Sequence, residues 1–283
     1  MSENTKLNYR IAQSAGINGL VVLLSAICVL PLIFILIYII KAGVGAINWS
    51  FFVNIPKPVG EIGGGIANAL IGTAIIISVA TVIAVPVGIL CGIYLNEFKK
   101  GKLAYWTSIC VDVLQGIPSI VIGIVGYLWL VVPFRSHSAL SGSIVLAIMM
   151  LPIIIRSTEE TLKLLPNSLR EAAYALGVPF HRVILKIIIP CGFSGIISGV
   201  MLSVARVAGE TAPLLFTAFG NSYISTHLLK PMQSLPLLIF NYATSPYEDW
   251  QNLAWGASLI LLILVLSLNL LTKLMTSKWK VRL

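Results

Sequence analysis

The stretch SVARVAGETAPLL places an arginine and a glutamate, Arg206 and Glu210, four residues apart among side chains suited to hydrocarbon. An ionised side chain in the middle of a bilayer costs about 2.5–3.5 kcal/mol even on the lenient insertion scale, so such a pair marks function by default. A guanidinium offers planar donors matched to the oxygens of an oxyanion, and a nearby carboxylate can hold it or exchange with the anion. On a helix advancing about 100° per residue, Gly195, Gly199, Ser203, Arg206 and Glu210 fall on one narrow face. The glycines let another helix approach closely, so this face is expected against protein and not against lipid. Two readings stay open: a salt bridge clamping two helices, and a site that meets a passing anion. Arg206, Glu210 and the adjacent Thr211 are the candidate path residues.

Other chemistries find no footing. There is no G-x-x-x-x-G-K-[ST] to cradle a nucleotide phosphate, so the chain has no P-loop. No paired carboxylates and no Ser/His/Asp set fall in the apolar segments, and no catalytic residue is assigned. Cys28, Cys91, Cys110 and Cys191 show no metal-ligand spacing and read as small packing residues. His137, His181 and His227 lack partners, so neither a metal nor a cofactor is expected.

The elements that must position Arg206 and Glu210 follow from composition. Hydrophobic residues make up 58% of the 283 and charged residues only 10%. A soluble domain carries about 25% charged residues. The stretches 17–40 and 66–95 hold no charge. Both exceed the length of about 20 residues that crosses a bilayer as a helix. The reading is an all-α polytopic membrane protein with six spans, near 17–40, 66–95, 104–134, 139–158, 187–212 and 253–276. The first is too long for a cleaved signal and is expected to stay as an anchor. The third leaves room for a break at Pro118, and Arg156 marks the inner end of the fourth.

Of 19 Lys and Arg, fourteen fall on one side of these spans and four on the other, which puts both termini in the cytoplasm. The net charge of +9 is thus a topology signal spread over alternate loops, and nucleic acid is not a partner. Outside, Trp49, Phe51, Phe52, Tyr242, Tyr247 and Trp250 suit an interfacial aromatic belt. Ser234 to Phe240 is apolar but too short to span. Asn68 and Thr73 are minor candidates for the path, whereas Asp112 and Gln115 read as structural hydrogen-bonding groups.

One inner loop is built differently. Between 157 and 186, Ser168 and Glu171 have the spacing of a capping box, Gly177 suits a helix C-terminal stop, and Pro179 suits the first turn of a second helix. Two short helices meeting at a glycine are expected, with Arg170 and Glu171 free for polar contacts.

That loop, EAAYALGVPFHRVILKIIIP, resembles the EAA loop of ABC-importer permeases, with Glu171, Ala172, Ala173 and Gly177 at the matching positions and Ile189 where Leu is usual. GGGIANALIGT, LQGIPSIVIG, LPIIIRSTEE and ARVAGETAPLLFTA are similar to the A-type permeases of phosphate-specific ABC importers, and the resemblance covers nearly all of the chain after the first span. It implies the type I ABC-importer permease fold, with a unit at 1–65 holding the first span, a five-helix core at 66–272, its coupling loop at 168–190, and a basic tail at 273–283. It implies a transport subunit, not an enzyme, in the cytoplasmic membrane. The partners implied are a second, C-type permease, a dimer of ATP-binding subunits and a periplasmic phosphate-binding protein. Glu171, Ala172, Ala173 and Gly177 would couple ATPase motion to the membrane helices, and Arg206 with Glu210 would serve phosphate passage. A permease for another oxyanion is the nearest rival reading, and a free-standing membrane enzyme or structural protein the next.

Overall fold

The computed structural model describes residues 3–61 and 63–278, so Ile62 of the EIGGG run and Lys280 and Arg282 of the basic tail lie outside the described residues. The described chain is helical: α1 (Glu3–Val44), α2 (Trp49–Val53), α3 (Ala67–Glu97), α4 (Lys102–Gly116), α5 (Ser119–Phe134), α6 (Ala139–Lys163), α7 (Asn167–Ala175), α8 (Phe180–Val207), α9 (Ala212–Thr217), α10 (Leu235–Ala243) and α11 (Glu248–Lys278). Helices α1, α3, α6, α8 and α11 are each long and apolar enough to cross a membrane. The pair α4 and α5 makes a sixth span only if taken together, because it bends by 105° at Ile117 and Pro118. Proline lacks the N–H that would continue the ladder, and its ring drives the preceding residue out of the helical region. The break expected at Pro118 is therefore present and sharp.

Helix α6 is the axis of the molecule and the most buried of the spans. It is gripped on two sides by glycines. A Cβ on Gly88 or Gly92 of α3 would meet Ile154 or Thr158 of α6 at 2.7 Å, and one on Gly195 or Gly199 of α8 would collide with Thr161 or Ser157. Without side chains at these places the backbones close up, which is how helices gain van der Waals contact where lipid supplies no hydrophobic drive. Ile76, Ala80, Ala84, Leu146, Met150, Ile154, Val207 and Leu214 fill the central core so formed.

The outer parts brace this centre. Leu235, Leu237 and Leu238 of α10 are fully buried. Leu235 and Leu238 sit among Phe51, Ile66, Ala69 and Ala257, so the short apolar segment neither spans nor floats in the interface. Phe51 belongs to that core and not to an aromatic belt, whereas Trp49 is 83% exposed. Tyr242 and Trp250 stack with centroids 4.7 Å apart. Helix α1 touches the rest through Gly43, which nests under Trp255 and Leu259 of α11, and through Tyr38 edge-on to Trp255. Its remaining apolar surface is exposed, as a lipid-facing anchor requires. Cys28 and Cys110 are exposed on the helix surfaces and only Cys91 and Cys191 are half-buried, so the first two do not pack as expected.

Candidate functional site

Helix α8 ends sooner than its hydropathy suggests. It stops at Val207, Ala208 and Gly209 form a turn, and Pro213 then opens α9. Glycine followed by proline is a common order of events at a helix C-terminus. Glu210 and Thr211 consequently lie in the connection and not on the helical face that carries Gly195, Gly199 and Arg206. The Arg206–Glu210 pair survives only as a distant one, with Nε and Oε1 4.0 Å apart. Arg206 is 49% exposed and Glu210 18% exposed along their side chains. Such a separation is too long for a hydrogen bond. As a clamp the pair is weak.

Arg206 instead lines a cavity of about 680 Å³ between α4, α6 and α8, together with Asp112, Gln115, Arg156, Ser157 and Glu160. Glu210, Thr211, Asn68 and Thr73 are not among the described residues that line it. Arg156 stands seven residues before the end of α6. Helix α6 runs on past it to Lys163. At a rise of about 1.5 Å per residue, Arg156 stands about 10 Å inside that end. The helix outlasts the expected span of 139–158, and Arg156 was not among the expected path residues although it lines this cavity. The signal that could have found it is the spacing of Arg156, Glu159 and Lys163 along one helical face.

The two arginines differ in what they have left to give. Arg156 donates from Nε to Asp112 at 3.1 Å, from Nη1 to Glu159 at 2.6 Å, and from Nη2 to Asp112 and to the Ser108 hydroxyl and carbonyl. Lys163 lies 2.6 Å from Glu159 and closes a chain of alternating charge from α4 down α6. Arg156 is thus a fixed cation with its donors committed. Arg206 makes no hydrogen bond among the described residues, and its donors remain available. Asp112 and Glu160 bring negative charge to the same wall, so the formal charges around the cavity nearly balance.

Beyond the end of α6, α7 and the start of α8 meet at Gly177. Its φ of +72° is the left-handed conformation that glycine adopts without strain. The Val178 N–H donates to the Ala173 carbonyl at 3.2 Å and the Gly177 N–H to the Tyr174 carbonyl at 2.9 Å. These are the two bonds of a Schellman stop. The other end departs from expectation. Helix α7 begins at Asn167 after Pro166, whose ψ of 136° leaves it outside the helix in the cap position, and no side chain caps it. Ser168 thereby falls inside the first turn and forms no capping box with Glu171. Ala173 is buried against Leu162, Leu165, Val183 and Ile184, while Glu171, Ala172 and Gly177 are exposed. Arg170 is not free: its Nη2 lies 3.0 Å from Oε1 of Glu97, and both side chains are largely buried.

The two minor candidates are structural. Thr73 Oγ1 donates to the Ala69 carbonyl at 2.7 Å and accepts from the Leu235 N–H at 2.8 Å, tying α10 to α3. Asn68 Nδ2 donates to the Asn221 carbonyl at 2.8 Å.

Residues 84–281 match the family described as binding-protein-dependent transport system inner membrane component. The chain is 45% identical over 250 residues, 88% of its length and 85% of the relative's, to the phosphate transport system permease protein PstA of Yersinia pestis. It is 38% identical over 274 residues, 96% of its length and 97% of the relative's, to the protein of the same name in Haemophilus influenzae. Among solved structures, an inward-facing form of the MetNI methionine ABC transporter superposes with a TM-score of 0.63 at 16% identity, covering 76% of this chain and 97% of that one. An amino acid ABC transporter superposes with a TM-score of 0.53, also at 16% identity, over 75% of this chain and 92% of that one. At such identities these two speak for the fold, which is that of type I importer permeases.

Proposed function

Since the chain belongs to the family of binding-protein-dependent transport system inner membrane components, we propose that its cavity is the phosphate path of an ATP-driven importer. The chain is the transmembrane permease subunit that moves inorganic phosphate across the membrane. The observation that carries the reading of the site is the uncommitted guanidinium of Arg206 in a cavity whose other arginine is fully engaged. A phosphate anion arriving there finds planar donors in Arg206 and a fixed positive field from Arg156, and displaces no strong bond in doing so. Asp112 and Glu160 keep the net attraction modest, which passage requires: a path that binds tightly does not release. Glu210, on the turn between α8 and α9, acts as a second partner that recovers Arg206 after the anion has left. Thr211 positions that turn.

Energy comes from partners. The exposed face of α7 with Glu171 and Ala172, pinned at Gly177, is the surface that an ATP-binding subunit would take, with Ala173 anchoring it to the inner core. A second permease would complete the path on the open side of the cavity, and a phosphate-binding protein would deliver at the face bearing Trp49. Both termini lie in the cytoplasm by this arrangement, with residues 66–272 as the working core. A solute moves only if it binds the two conformations of such an assembly differently. The test is ATP hydrolysis by the purified assembly with its cognate binding protein. Phosphate should stimulate it several-fold; stimulation by sulfate or molybdate and not by phosphate would reassign the substrate, and co-purification without any ATPase would remove the importer reading.

A further inference from the structure

A second cavity, of about 580 Å³, opens at the inner end of α3, where the turn into α4 faces the start of α7. Lys99, Lys100, Lys163 and Arg170 line it against a single carboxylate, Glu97. Two of these cations are partly satisfied, Lys163 by Glu159 at 2.6 Å and Arg170 by Glu97 at 3.0 Å. Lys99 and Lys100 form no ion pair among the described residues and are exposed. Against Lys99 and Lys100 the cavity offers one carboxylate, Glu97, itself taken by Arg170, so it lacks negative charge, which its contents should supply.

Its surroundings say where such a group would come from. Beside the basic residues, Phe98, Leu103, Tyr105 and Trp106 stand exposed. Tyrosine and tryptophan on a membrane protein settle at headgroup depth. Basic pockets at that depth on the inner leaflet take anionic lipid headgroups. We propose that this cavity binds the phosphodiester headgroup of an anionic membrane lipid, its oxygens on Lys99 and Lys100 and its acyl chains over Leu103 and Trp106. A free phosphate ion would leave that apolar rim unused. The position of Arg170 matters for transport: it lies on α7, and Ala172 stands about 200° around the helix from it. A lipid would steady one side of the coupling helix and leave the other open.

The test uses the assembled complex purified in neutral detergent, with native mass spectrometry to count retained phosphatidylglycerol and phosphatidylcholine. Wild type should retain phosphatidylglycerol selectively. Lys99→Gln with Lys100→Gln should lower its apparent affinity by about fivefold per lysine and about thirtyfold for the pair. Both lysines are exposed, so the lipid-free melting temperature should not move. Equal retention by the double variant, equal retention of the two lipids, or displacement of phosphatidylglycerol by millimolar inorganic phosphate would each overturn the proposal.

Discussion

At the scale of single residues, the distinction between Arg206 and Arg156 makes two substitutions informative. Arg206→Lys keeps the charge and loses the planar fork. Charge-assisted hydrogen bonds are worth about 1.5–3 kcal/mol each, so uptake of radiolabelled phosphate should fall at least about tenfold. Arg206→Gln should abolish it. Assembly should survive both, because only a 4.0 Å contact with Glu210 is given up; loss of the complex on a sizing column would restore the clamp reading. Asp112→Asn acts in the opposite sense. It takes the carboxylate from Nε and Nη2 of Arg156 and leaves Glu159 on Nη1. The amide oxygen still accepts from Arg156, but the cavity wall gains one net positive charge and draws the anion more strongly, so uptake kinetics should show a lower KM together with a lower maximal rate. An unchanged KM would mean that this wall never meets the solute.

At the scale of elements, the stop at Gly177 is the feature to probe. An added Cβ there meets nothing within 4 Å, so Gly177→Ala introduces backbone strain alone. A left-handed non-glycine residue costs about 1–2 kcal/mol. The expected outcome is faster amide exchange across 167–178 and weaker stimulation of the ATPase by the binding protein, with the complex intact; unaltered stimulation would show that the hinge carries no force. This stop was legible because glycine, its spacing and the following proline act locally. The capping box was not, because Pro166 sets the dihedral that decides which residue begins α7, and a spacing rule for Ser168 and Glu171 does not weigh it. Arg206 was placed correctly on the helix that meets α6, but Glu210 was carried along a helix that Gly209 and Pro213 had already ended. The ion pairs of Arg156 with Asp112 and of Arg170 with Glu97 join residues 44 and 73 positions apart, and no periodicity along the chain reports such contacts.

At the scale of the molecule, five spans, their order and a further apolar pair broken at Pro118 were readable from apolar length and proline alone, since the bilayer sets the first and proline the second. The orientation is open to a direct check. Leu176 at the end of α7 and Trp49 on the opposite face are each 83% exposed. A membrane-impermeant maleimide applied to intact cells should label Trp49→Cys at once and Leu176→Cys only after permeabilisation, in a background without the four native cysteines. The reverse pattern would invert the topology. The glycine grip on α6 bears on how such a protein can diversify. Gly88, Gly92, Gly195 and Gly199 admit no larger side chain without parting the helices, so descent with change is shut out of the scaffold and falls to the cavity wall. A lineage could rewrite Asp112, Gln115 and Arg206 and inherit the mechanical frame untouched.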